Sequence, residues 1–260
     1  MSEANSQLQG CTNVTSDLVI GDPACSGGRT LSLLSEEATK SVLEIGGSLI
    51  IQCCNGLSFV NGWSALQAIR GSLIIEANMN LKSVVSAFAA LNRLDGSLII
   101  RQNGALTSVV TSFMALDRIG GYINIERNRK LSDLSGLGTL SVIEGKQLLG
   151  GSALSVLFNP ALEDLAWLAS MDSIEDGVVH IEGNTALCYA GYPQWGTFGS
   201  FFDRSGVLGE DQGIDWRSLI SSTAEWEYSW TGASIPSLVV KGNAPSGSCG
   251  AFHVQGLQGV

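Results

Sequence analysis

The stretch from Gly71 to Gly121 repeats itself. GSLIIEANMNLKSVVSAFAALNRLD is followed by GSLIIRQNGALTSVVTSFMALDRIG, each 25 residues long, and the next copy opens at Gly121 with Tyr122 in place of Ser. A fixed short period of this kind requires stacked coils, because no single copy can bury its apolar side alone. Six segments carry the opening strand: GSLIIQC (47–53), GSLIIEA (71–77), GSLIIRQ (96–102), GYINIER (121–127), SALSVLF (152–158) and GVVHIEG (177–183).

Five inward-facing columns follow at nearly constant offsets. The first holds Ile51, Ile75, Ile100, Ile125, Val156 and Ile181, and the second Leu57, Leu81, Leu106, Leu131, Leu162 and Leu187. Val60, Val84, Val109, Leu134 and Leu165 make the third. The far side supplies Leu66, Leu91, Leu116, Leu140 and Met171, then Ile69, Leu94, Ile119, Ile143 and Ile174. Each buried Leu or Ile contributes roughly 1.5–3 kcal/mol. Three residues after the first column stand Asn78, Asn103, Asn128, Asn159 and Asn184, with Cys54 at that place in an earlier coil. A buried Asn at every turn reads as a structural ladder that satisfies corner backbone groups, not as a reactive site. The coil holding Asn159 carries extra residues in EGKQLLGG, which should bulge from one corner. The fold expected is all-β: a right-handed parallel β-helix, a leucine-rich-repeat-like solenoid with coils of about 25 residues and short capping helices.

A net charge of −10 without a basic stripe argues against nucleic-acid or anionic-membrane binding. The longest apolar runs are too short to span a bilayer. Cys11, Cys25, Cys53, Cys54, Cys188 and Cys249 sit toward the two ends and avoid the central repeats, which reads as disulfides made in an oxidising compartment. The expected grouping joins Cys188 to Cys249 and the other four among themselves. No CxxC pair occurs and His180 and His253 lie far apart, so no metal or other cofactor is expected. Asn13-Val14-Thr15 is the one N-glycosylation sequon, with Asn13 as acceptor. The polar start lacks the features of a signal peptide, and a leader removed from the chain is the expectation for an extracellular or cell-surface protein, a luminal compartment being the alternative.

Taken in order, residues 1–10 read as a disordered lead and 11–46 as an N-terminal cap and first coil. That coil has a strand in which Leu18 and Ile20 face inward and Val19 outward, and a short helix begins near Ser35 with Glu36 and Glu37 in its first turn. The β-helix repeats occupy 47–188, an inserted loop 189–213, and a C-terminal cap 214–260. Within the cap, IDWRSLI suggests a short helix, and SLVVKGN (237–243) echoes VVHIEGN and suggests one more strand.

Repeats of the form GSLxIxxNxxLxSLxxLxxIxG, ending in NxxLCY and IDWxxI, resemble the receptor L domain. That module is the ligand-binding right-handed β-helix of insulin and epidermal growth factor receptors, and occurs in fungal and protist surface proteins. The resemblance runs from about Cys11 to Ile220, with the terminal signature carried by Asn184, Leu187, Cys188, Tyr189, Ile214, Asp215 and Trp216. Two departures stand out: an insertion of about 20 residues before IDW, and no furin-like module, transmembrane helix or kinase following. The resemblance implies ligand binding, without indicating which ligand.

Side chains alternate along a strand, so residues beside the first column face outward. One outward row holds Val19, Ile50, Ile74, Ile99, Asn124, Ser155 and His180; a second Gln52, Glu76, Arg101, Glu126, Leu157 and Glu182; a third Ser48, Ser72, Ser97, Tyr122, Ala153 and Val178. Adjacent isoleucines on a solvated face suggest a protein-binding surface, a surface covered by the chain's own C-terminal segment, or plain β-propensity. Glu76, Arg101 and Glu126 read as a cross-strand ion ladder. Parallel β-helices also host polysaccharide-active enzymes, but single alternating charges give no acidic cluster or cleft for acid–base chemistry. The expected function is therefore non-catalytic recognition of a protein partner through Ile50, Ile74, Ile99, Tyr122, Asn124, His180, Glu76, Arg101 and Glu126. Tyr189, Tyr192, Trp195 and Phe198 form a secondary binding loop. A structural subunit of a larger extracellular or luminal assembly is the alternative, and a glycan-binding module or polysaccharide-active β-helix the third reading.

Overall fold

A computed structural model describes residues 8–22, 25, 36–146, 151–187, 226–228 and 238–241. Strands alternate between two walls. The short wall holds β1 (Asn13–Val14), β3 (Glu44–Ile45), β5 (Ala68–Ile69), β7 (Arg93–Leu94), β9 (Arg118–Ile119), β11 (Val142–Ile143) and β13 (Ser173–Ile174), in that order and parallel throughout. The long wall runs from β2 (Leu18–Gly21) through β4 (Leu49–Gln52), β6 (Leu73–Glu76), β8 (Leu98–Arg101), β10 (Ile123–Glu126), β12 (Ser152–Leu157) and β14 (Val178–Glu182). Single bridges Phe59–Ser83–Ser108–Asp133 mark a third side. This is the parallel β-helix that the repeat period requires.

The long wall continues past the repeats. β16 (Leu238–Lys241) pairs in parallel with β14, as its sequence echo suggested, and β15 (Trp226–Tyr228) then pairs antiparallel with β16, which no sequence signal had indicated. Only one short helix, α1 (Glu36–Thr39), is found among the described residues around the expected N-terminal helix. The IDWRSLI helix, the 189–213 loop, Cys188 and Cys249 lie outside the described residues.

All five expected columns are buried, and two more complete the core. Leu49, Leu73, Leu98, Ile123, Leu154 and Val179 point inward from the start of each long strand. Trp63, Phe88, Phe113, Leu137 and Leu168 fill the interior between the third and fourth columns, with the Phe88 and Phe113 rings stacked at 5.8 Å between centroids. The extra residues before Asn159 lengthen β12 and shift its register against β14 between Ser152 and Leu154.

Each turn out of the long wall uses a left-handed residue: Cys53, Ala77, Gln102, Arg127 and Phe158 have φ between 53° and 58°, and Gly183 has 69°. That conformation costs a non-glycine residue about 1 kcal/mol or more. At every one of these turns but Cys53, which Cys54 follows, the next residue is an asparagine that offsets this cost. Asn78 Nδ2 donates to Ile51 O at 2.8 Å, and the same bond recurs from Asn103 to Ile75 O, Asn128 to Ile100 O, Asn159 to Ile125 O and Asn184 to Val156 O. These are the fully buried polar side chains of the ladder expected from the repeat.

Cys25 and Cys53 form a disulfide across 28 residues of chain. Cys54, by contrast, keeps its thiol, so its expected place in a disulfide among the four N-terminal cysteines is corrected. The reason at Cys54 is its position on the asparagine ladder. Its backbone N donates to Asn78 Oδ1 at 2.9 Å and its Sγ points at the carbonyls of Ile20 and Gln52, inside the wall. Burial pushes the Cys54 thiol up to about 11, against the opposing effect of its backbone contact at Gln52.

Candidate binding face

Parallel pairing places the outward row in strict register: Val19, Ile50, Ile74, Ile99, Asn124, Ser155 and His180 are successive partners from β2 to β14. Register alone puts such neighbours about 4.8 Å apart. None of these residues joins the interior cluster, so the row does lie on the outer face. Its exposure is not uniform, however. Val19 is 47% exposed, Ile50 and Ile74 are half-buried, and then Ile99 falls to 9%, Asn124 to 1% and Ser155 to 3%. The face is open toward the N-terminal coils and shut at its middle, with His180 again half-buried.

Two polar atoms on this shut part lack partners. Asn124 Oδ1 and Arg101 Nε are both buried without a hydrogen bond. An unsatisfied buried polar group costs roughly 1–3 kcal/mol. The Arg101 guanidinium is otherwise held through Nη2, 2.8 Å from Glu76. Glu126 does not complete the expected ladder, because it pairs with its neighbour Arg127 instead. The left-handed turn at Arg127 brings that guanidinium to Glu126 and over the Phe158 ring, 5.4 Å from its centroid.

The third outward row has a structural task that the sequence reading missed. Ser48 Oγ accepts from Ser72 N at 3.0 Å, Ser72 Oγ from Ser97 N at 2.9 Å, and Ser97 Oγ from Tyr122 N at 3.0 Å. Asp17 Oδ1 starts this ladder by accepting from Ser48 N at 2.6 Å. The GS pair at the head of each strand was the available signal. Glycine precedes the serine because a Cβ at Gly96 would lie 2.5 Å from the backbone of Gly71 in the previous coil. The last member, Tyr122, is half-buried, and burial raises its phenol above the ordinary range despite the Arg101 charge nearby. At the far end of the sheet His180 Nε2 lies 2.7 Å from Glu182 Oε2.

Asn13 is exposed on β1, at the edge of the short wall. Tyr189, Tyr192, Trp195 and Phe198 lie outside the described residues. Among the described residues no three His, Cys, Asp or Glu side chains gather into a metal site, and no helix is long and apolar enough to cross a membrane. A repetitive β-sheet of this kind suits a binding or structural role.

No curated protein matches the chain. Residues 92–198 do match a family model, covering the coils that follow Leu91 and running past the expected Cys188-Tyr189 pair. That family is the receptor L domain, to which this stretch of the chain is similar.

Proposed function

We propose that the chain is a recognition module that grips a protein partner with the N-terminal half of its long wall. One observation carries this reading: Val19, Ile50 and Ile74 form an apolar row in register outside the core, open or half-open to solvent. Apolar side chains at adjacent positions on an outer sheet contribute nothing to the interior, and contiguous patches of this kind are characteristic of interaction sites. Gln52, Glu76 and Arg101 flank the row and supply a polar rim. The Cys25–Cys53 disulfide supports an extracellular or luminal setting.

Ile50→Glu with Ile74→Glu tests the reading. Both positions are half-buried and outside the core, so the variant folds and loses its partner. Loss of folding in place of loss of binding would show that the row is part of the protein's own packing.

A further inference from the structure

We propose that the chain has a second binding site, at the corner where coils leave the long wall, and that it takes an acidic peptide bearing a large apolar side chain. The site is a groove of about 520 Å³ lined by Met79, Gln102, Gly104, Arg127, Arg129, Phe158, Pro160 and Gly183. It is separate from the outer row, since its residues are the left-handed corner positions and the residues directly after the buried asparagines.

The repeat explains the shape. Met79, Gly104, Arg129 and Pro160 occupy one position in four successive coils. Gly104 has no side chain, so a slot one coil wide opens between Met79 and Arg129. A Cβ placed there would meet only the Met79 side-chain tip at 3.2 Å and its carbonyl oxygen at 4.0 Å. The parallel file holds Gln102, Arg127, Phe158 and Gly183. Gly183 lets the Phe158 ring settle against it, because a Cβ at that position would come within 2.4 Å of the ring.

The chemistry of the walls selects the ligand. Met79 is 52% exposed and Phe158 40%, an unusual pair of large apolar groups to leave beside an open slot. Three of the chain's 14 basic residues fall at Arg127, Arg129 and Lys130. Arg127 is engaged by Glu126 and Phe158, whereas Arg129 and Lys130 are exposed and have no ion-pair partner among the described residues. Arg129, a lining cation without an ion-pair partner among the described residues, complements a carboxylate flanking a bulky apolar side chain. A sulfated polysaccharide would satisfy the charge but leave the slot unfilled.

Fluorescence anisotropy with fluorescein-labelled Glu-Glu-Phe-Glu-Glu tests the site, with Glu-Glu-Ser-Glu-Glu as control. The expected result is saturable binding of the Phe peptide and binding of the Ser peptide weaker by about tenfold. Arg129→Glu weakens the Phe peptide by about tenfold or more, and Gly104→Leu, which fills the slot, does the same, while Ile50→Glu leaves it unchanged. Unchanged thermal melting of each variant excludes misfolding as the cause, and Arg129→Gln gives a smaller loss in the same direction. The proposal is overturned if the Phe peptide fails to bind or binds no better than the Ser peptide. It is equally overturned if Gly104→Leu leaves binding intact, or if heparin binds the corner and the peptide does not.

Discussion

Asn103 Oδ1 accepts two hydrogen bonds from Asn78, one from its backbone N at 3.1 Å and one from its Nδ2 at 3.2 Å. Asn103 in turn donates to Ile75 O at 2.9 Å, so a single side chain ties adjacent coils at a corner without access to water. Asn103→Ala takes the acceptor from the Asn78 backbone N and the side-chain donor from the Ile75 carbonyl, while Asn78 Nδ2 keeps its bond to Ile51 O. Because each unsatisfied buried group costs roughly 1–3 kcal/mol, the expected loss in denaturant unfolding is about 3 kcal/mol or more. The contrast is Asn80→Ala, which removes an exposed bond to Asn55 O and costs under about 1 kcal/mol.

Cys54 makes stability depend on pH in the alkaline range. Its folded thiol is pushed up to about 11, above the ordinary value of 9.0. The folded chain therefore holds this proton where the unfolded chain has released it. The contribution is complete below pH 9 and is lost as pH rises toward 11. Denaturant midpoints measured from pH 8 to pH 11 fall more steeply for the native protein than for Cys54→Ser, which does not titrate there. Equal slopes would remove Cys54 as the cause.

Ala77 holds φ at 55° at one of the corner turns, where its backbone N still donates to Arg101 O. Ala77→Gly relieves the left-handed penalty of roughly 1–2 kcal/mol and gives back about 0.4–1 kcal/mol through the looser unfolded chain. A net gain of about 0.5–1 kcal/mol is expected in urea unfolding. A loss would mean that the Ala77 methyl packs more tightly than the turn geometry implies.

The period made the architecture legible. Because Ile51, Ile75 and Ile100 recur with their coils, one aligned repeat places every later column, and the asparagine ladder follows from its constant offset. What escaped were contacts between coils that leave no apolar signature. The Ser48, Ser72 and Ser97 hydroxyls stood in an outward row yet serve the next coil's backbone. Cys54 looked like a disulfide partner because its type outweighed its place on the ladder. The candidate face was legible as a row but not as a gradient. Alternation fixes which way Ile74 and Asn124 point, whereas their burial depends on what else lies near, and strand periodicity carries no information about that.

Photo-crosslinking locates the face of the solenoid that meets a partner. A benzoylphenylalanine placed at Ile74 samples the open half of the long wall, and one at Val85, 43% exposed at a different corner, samples the solenoid elsewhere. Applied to the protein's source cells, the Ile74 probe is expected to give a discrete protein adduct that disappears when Ile50→Glu is added, and the Val85 probe none. Equal adducts from both positions, or an adduct at Ile74 indifferent to Ile50→Glu, would contradict binding through the open half of the long wall.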